Sequence, residues 1–257
     1  GWLKKRFYEP FKNGTLDSDT LFMEALPSDN LFVTDDQKSG WGKMAERYRK
    51  QFVEGSWDDF DSEDGRWLFA FNSQRHIGKV EWNPHQVTYL SFDFNREPIT
   101  CSVWQFYDNI IRGVRSIKIN DGTIYRLCNE ILELYPGAFF VVNGDASGAS
   151  RTTVNILDNY QIIKNTLNLS KGQIQVSGAN PPLKDSRMLC NSILEIQPFI
   201  VDAENCKPFI EDALNCKANA DNTIVKNNRD KMGQAADMLD NFRYFLHKNF
   251  RDIFKNQ

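Results

Sequence analysis

The sequence predicts an α/β protein built on a mixed central β-sheet flanked by helices. Three observations carry that prediction: extended runs joined by short links between residues 87 and 119, an apolar helical period over 123–135, and a fully apolar extended run at 138–143. Hairpin-linked strands pair antiparallel, and a strand returning after a helix pairs parallel, so a single sheet holding all of them is mixed.

Residues 1–87 read differently from the remainder and are expected to form a separate linker-like segment. Five of the six tryptophans lie there: Trp2, Trp41, Trp57, Trp67 and Trp82. One helix is predicted over "GWGKMAERYRKQFVEGSW", residues 40–57, because Met44, Tyr48 and Phe52 recur every four residues. That stripe is expected to pack in a core, beside the basic Lys43, Arg47, Arg49 and Lys50. Short extended pieces are expected on either side, "LFMEAL" ending at Pro27 and "RWLFAF".

From residue 88 the order becomes strand, strand, strand, helix, strand, helix. "VTYLSFDFN" and "ITCSVWQFY" are strands joined through "NREP", and "VRSIKI" is a third. "TIYRLCNEILELY" is helical, with Ile124, Leu127, Cys128, Ile131 and Leu134 on one face and Pro136-Gly137 as the stop. "AFFVVNGD" follows as a strand expected at the centre of a sheet covered on both faces. Then come a helix in "TVNILDNYQIIKNTLNL", a strand "QIQVSG", a helix "KDSRMLCNSILEI" after Pro181-Pro182, and a short strand "FIVD". A long amphipathic helix, "DKMGQAADMLDNFRYFLHKNF", closes the pattern.

Composition narrows the function classes. The 257 residues are 41% hydrophobic and 25% charged, enough to bury a core without covalent staples. No apolar run reaches the roughly 18 residues of a membrane span, and the basic N-terminus leads into no signal-type segment, so a soluble, non-exported protein is expected. Cys101, Cys128, Cys190, Cys206 and Cys216 form no C-x-x-C and are odd in number, so buried reduced thiols are expected. His76, His85 and His247 stand apart from them, which argues against a zinc site. With 31 basic and 34 acidic residues the chain is no general polycation, and any nucleic-acid binding must come from a local basic surface.

Acidic residues carry the chemistry. Asp93 in "LSFDFN" sits between Phe92 and Phe94 on a strand, where a carboxylate is costly to bury unless it is paired or binds a cation. Asp145 in "VVNGDASG" ends the apolar strand, hemmed by Gly144 and Gly148. If those strands are neighbours, the two carboxylates face one another at strand ends, where α/β sheets form their sites. Asp237 and Asp240, three residues apart in "AADMLDNFRY", project from one face of the last helix. All-oxygen ligation of this kind suits Mg²⁺ or Mn²⁺, and two such ions about 4 Å apart are the usual device for hydrolysing a phosphodiester.

The three motifs together resemble the nuclease domain of the large terminase subunit of tailed bacteriophages and herpesviruses, which has a ribonuclease-H-like fold. The matching pieces are "LSFDFN", "VVNGDASG" and "DNFRYFL", and "LPSDNLF…ERYRKQFVEGSWDD" resembles the segment that joins the packaging ATPase to its nuclease. The resemblance implies a ribonuclease-H-like nuclease domain over residues 88–257, after the linker segment 1–87. It implies that Asp93, Asp145 and Asp240 are catalytic metal ligands for two ions, Mg²⁺ or Mn²⁺. Asp237 joins them as a metal residue, although many relatives carry a histidine there. Arg243 and Tyr244 are expected to pair structurally, and Lys231 is a candidate phosphate contact.

The implied activity is endonucleolytic cutting of concatemeric double-stranded DNA during viral genome packaging, in the cytoplasm of an infected bacterial host. Implied partners are DNA, the portal protein, the small terminase subunit and the packaging ATPase domain, with no membrane. No G-x-x-x-x-G-K-[ST] occurs: in "SGWGKM" Gln37 takes the first glycine position and Met44 the Ser/Thr position, so the chain is expected to be an excised C-terminal part without the motor. A serine-hydrolase reading fails because Ser147 is not centred in G-x-S-x-G. A non-cleaving DNA- or portal-docking module, or a resolvase- or transposase-like relative, remains the alternative. Asp158, Asp202, Asp221 and Asp230 are expected to be capping or solvated acids, with Asp202 able to approach the site.

Overall fold

The computed structural model describes residues 3–57, 65–94, 98–120, 122–150, 157–226 and 236–254. By compactness the chain divides into residues 1–61 with 252–257, and residues 62–251. That division falls ahead of the 87/88 boundary expected from composition, because Trp67, Leu68 and Phe71 are buried within the second unit.

In the first unit a π-helical turn, Lys4–Tyr8, runs into α1 (Glu9–Lys12). The helix expected over 40–57 is instead two short ones, α2 (Asp35–Trp41) and α3 (Glu46–Phe52). The reason is local. Thr34 and Gln37 form a reciprocal capping box that starts a helix earlier than the apolar stripe does, and tight turns from Lys43 N–H to Gly40 O and Met44 N–H to Trp41 O close it before Ala45. Of the stripe, Tyr48 is buried and Phe52 is exposed. "LFMEAL" forms no strand, and Leu21 and Met23 lie in solvent. Tyr8 stacks on Trp57 at 5.3 Å between centroids.

The second unit contains α4 (Ser73–His76), β1 (Ile77–Gly78), β2 (Thr88–Asp93), β3 (Ile99–Tyr107), β4 (Ile110–Ile119), α5 (Ile124–Leu134), β5 (Phe140–Gly144), α6 (Asn159–Thr166), α7 (Leu183–Ile196), β6 (Phe199–Asp202), α8 (Lys207–Asn215) and α9 (Asp237–Phe250). Six strands form one sheet in the order β1-β6-β4-β3-β2-β5. β2, β3 and β4 are antiparallel neighbours, whereas β5 lies parallel to β2 and β6 parallel to β4, so the sheet is mixed as the sequence predicts. The stretch expected to begin the last helix at residue 230 lies outside the described residues up to 235.

Three expectations need correction. In "RWLFAF" Trp67, Leu68 and Phe71 are buried, but among the described residues the stretch forms no strand, contributing an isolated bridge, Arg66 to Lys217. "QIQVSG" likewise contributes one bridge, Val142 to Ile174. β5 is an edge strand rather than a central one. Its apolar run reflects cover on both faces, and its outer edge is capped by Gln175 N–H donating to Val142 O at 2.7 Å and Gln173 Nε2 donating to Phe140 O at 2.8 Å. β1 is only two residues long, too short to show a period, whereas α8 was missed although Phe209 and Ala213 recur at helical spacing behind Pro208.

Alternation along the strands divides the core in two. Leu90, Phe92, Cys101, Val103, Phe140 and Val142 face α5 and α6, burying Leu127, Cys128, Ile131, Tyr160 and Ile163 against the sheet. On the opposite face Trp104 stacks on Phe245 at 5.2 Å and meets Phe209 and Phe242, which seats α8 and α9 there. All five cysteines are free and buried, as expected. No helix among the described residues is long and apolar enough to cross a membrane.

Candidate functional site

The α9 face of the sheet turns polar toward the C-terminal end of β2. Tyr89 packs on Phe245, and Ser91 Oγ donates to the Asn241 carbonyl at 2.8 Å. By the two-residue period Asp93 follows on the same face. Asn241 Nδ2 donates to Thr100 Oγ1 at 3.0 Å, and Thr100 is the Cα partner of Asp93 across β3. α9 is therefore tied to the two strands that carry the first carboxylate.

Asp145 is placed by the backbone. In the parallel ladder Phe92 is level with Gly144, and Asp145 N–H donates to Phe92 O at 2.9 Å. Gly144 has φ +148°, and a Cβ there would stand 2.2 Å from Phe92 O, so only glycine permits the approach. A Cβ on Gly148 would strike the ring of Phe94 at 2.2 Å. The two glycines around Asp145 thus serve close packing. The Asp145 carboxylate caps the 3-10 turn Ala146–Ala149, accepting from Ser147 N at 2.9 Å, Ser147 Oγ at 2.5 Å and Asn180 Nδ2 at 2.6 Å. Burial alone pushes its pKa up, but those hydrogen bonds together with Arg243 outweigh it and hold the group below the ordinary value.

α9 supplies the other two acids. It begins after Ala236, whose left-handed φ of +59° turns the chain into the helix, and both Asp237 and Asp240 are buried. Asp240 Oδ1 accepts from Arg243 Nε at 2.6 Å, and Asp240 Oδ2 from Lys226 Nζ at 2.5 Å. Arg243 also donates to Pro181 O at 2.8 Å and to the Tyr244 hydroxyl at 3.0 Å, a structural pairing of the expected kind. Asp237 Oδ2 lies 3.6 Å from Lys118 Nζ.

Asp93, 4% exposed, registers the convergence electrostatically: burial first, then Asp240, Asp237 and Asp145, push its pKa up to about 8, with Lys226 opposing. Nearby Asp212 is raised to about 7, chiefly by burial, although Met238 N–H donates to it at 3.0 Å. The four acids named from the sequence thus act on one another. Among the described residues, however, no three His, Cys, Asp or Glu side chains stand close enough to grip an ion as they are. The oxygens of Asp145, Asp237 and Asp240 are turned onto Asn180, Ser147, Lys118, Lys226 and Arg243 instead.

The donor chemistry nonetheless fits a hard divalent cation. It is all oxygen and largely buried, and the Lys226 ammonium stands on Asp240 Oδ2 where a cation would. Beside it the amide of Asn143, buried and two residues before Asp145, finds no hydrogen-bond partner among the described residues.

Sequence reasoning missed Lys118, Lys226, Asn180 and Asp212, because they come from separate elements with no spacing signal. Asp202 does not approach the site: its carboxylate accepts from Val80, Glu204 and Asn205 backbone N–H groups beside β1. Asp158 caps α6 and Asp221 holds a local turn with Thr223, as expected of them. Lys231 and Asp230 lie outside the described residues.

No protein-family model and no curated relative matches the chain. Solved structures do. The large terminase of a thermophilic bacteriophage aligns over 96% of this chain with a TM-score of 0.64 at 16% identity. This chain spans 59% of that terminase's length. The nuclease domain of the P22 large terminase aligns over 72% of this chain and 92% of its own length, with a TM-score of 0.52 at 13% identity. The mixed six-stranded sheet with its flanking helices is therefore the ribonuclease-H-like fold that these large terminase structures have.

Proposed function

We propose that this chain carries the metal-dependent endonuclease of a viral DNA-packaging terminase, cutting concatemeric double-stranded DNA in the cytoplasm of an infected bacterial host. The observation that carries the reading is the buried Asp93, set beside Asp145 by the β2–β5 register and facing Asp237 and Asp240 on α9. Three buried carboxylates with the half-buried Asp145 beside them are costly unless cations join them.

Asp93, Asp145 and Asp240 are the residues that would hold two ions, Mg²⁺ or Mn²⁺, with Asp237 contributing charge at the same end of α9. When bound, such ions activate a water and stabilise the leaving oxygen of the phosphodiester. The chain's own groups do the positioning. Arg243 fixes the plane of the Asp240 carboxylate, Asn180 and Ser147 fix that of Asp145, and Lys226 neutralises Asp240 from its Oδ2 side. Portal protein, small subunit and packaging ATPase domain are the partners this role entails.

Plasmid nicking tests the reading. Cutting with Mg²⁺ or Mn²⁺, abolished by EDTA and by Asp93→Ala, Asp145→Ala and Asp240→Ala in folded variants, supports it. A folded wild type that leaves the plasmid supercoiled overturns it. A second reading, a docking module that keeps the fold without cleaving, is favoured by one observation: protein cations already satisfy Asp240 on both oxygens. Cleavage by the wild type eliminates it.

A further inference from the structure

In the second unit a charged groove of about 360 Å³ is lined by Arg115, Lys118, Asn120, Arg126, Glu130 and the edge backbone of β4. It exists because β6 pairs only with Ile111–Gly113, which leaves the rest of β4 without a neighbouring strand on that side among the described residues. Ser116 N–H already points to this edge, donating to Asn205 O at 3.0 Å, and by strand alternation Lys118 N–H points the same way. α5 walls the groove on one side of the sheet through Arg126, and α8 on the other through Pro208.

We propose that this groove binds a backbone phosphate of the DNA strand being cut, a few nucleotides from the scissile bond. The inference rests on the nuclease reading for the identity of the ligand. Three cationic side chains face one acid there, a balance that suits a polyanion and contrasts with the net charge of −3 of the whole chain. Its position suits it as well. Asp93, Thr100 and Lys118 are successive Cα partners across β2, β3 and β4. At about 4.8 Å between strands, Lys118 stands roughly 10 Å from Asp93, close enough to serve the same DNA strand. Lys118 touches both places, lining the groove while its ammonium lies 3.6 Å from Asp237. Arg126, exposed on the first turn of α5, is then a phosphate clamp outside the carboxylate cluster.

The test is binding of a fluorescently labelled duplex to the whole chain, read by anisotropy in EDTA across a KCl series, with plasmid nicking in Mn²⁺ run in parallel. Arg126→Glu is expected to weaken binding at least about tenfold and to lower the slope of log K against log salt by about 1, the loss of one phosphate contact. Arg126→Lys keeps the wild-type slope. Lys79→Glu, the same charge change at an exposed residue on another surface, is expected to shift affinity by no more than about threefold. Equal effects of Arg126→Glu and Lys79→Glu, or a wild type that binds no duplex, overturn the groove. A wild type that nicks plasmid while Arg126→Glu binds normally sinks the groove and spares the nuclease reading; Arg126-dependent binding without nicking does the reverse.

Discussion

Arg243 Nε donates to Asp240 Oδ1 at 2.6 Å across one turn of α9, with both side chains buried. The same guanidinium reaches Pro181 O and the Tyr244 hydroxyl, so a single residue joins the acidic site to the segment leading into α7. Removing one partner of a buried pair leaves the other charged and unsolvated. Arg243→Met is therefore expected to cost about 3 kcal/mol in urea unfolding, and the double variant Arg243→Met/Asp240→Asn to recover more than half of it. Additive losses in the double-mutant cycle would refute the coupling.

Gly144 is expected to accept no side chain. Gly144→Ala drives a Cβ to 2.2 Å from Phe92 O at φ +148°, so β5 must slide from β2 to relieve it. The expected result is a stability loss above about 1 kcal/mol together with loss of the proposed plasmid nicking. Gly172→Ala, where a Cβ meets nothing within 4 Å, is the matched control and is expected to stay near wild type.

Lys226 is expected to compete with metal for Asp240. Deleting its ammonium frees Oδ2, which it now holds at 2.5 Å. Lys226→Ala is thus expected to tighten Mn²⁺ binding in titration calorimetry about tenfold, or roughly 1.4 kcal/mol. Weaker binding in the variant would mean that Lys226 organises the site rather than guards it.

His76 gives a pH signature independent of the site. Burial, and then Arg75, lower its pKa to about 4 from the ordinary 6.5. Between those values the unfolded chain binds the extra proton, so the stability His76 contributes is complete above about pH 6.5 and drains as pH falls toward 4. Asn72 N–H donates to its Nδ1 at 3.0 Å, an acceptor that glutamine can imitate. Stability of the wild type is expected to fall more steeply than that of His76→Gln over this interval, by up to about 1.4 kcal/mol per pH unit. Parallel curves would show that His76 titrates normally.

Much of the sheet was legible because alternation and turn chemistry are local. "LSFDFN" and "VVNGDASG" carry both the strand period and the acids that end up side by side. Phe140–Gly144 shows the limit: an apolar run reports cover above and below, not which strand stands at the edge, and the edge is closed by Gln173 and Gln175 from a distant turn. Residues 66–71 show another, since Trp67 and Phe71 are buried as the pattern demands without any ladder to join. At the site, Asp93, Asp145, Asp237 and Asp240 stood out as acids in apolar settings. Lys118, Lys226 and Asn180 did not, because an exposed-looking lysine or asparagine declares its partner only once the elements have met.

Mn²⁺ soaked into crystals of the protein and located in an anomalous difference map decides whether Asp93, Asp145, Asp237 and Asp240 form a divalent-metal centre. Two peaks about 4 Å apart among Asp93, Asp145 and Asp240, with Lys226 displaced, are the expected result. A map with no peak at these residues, under conditions where plasmid is cut, would place the chemistry elsewhere on the chain.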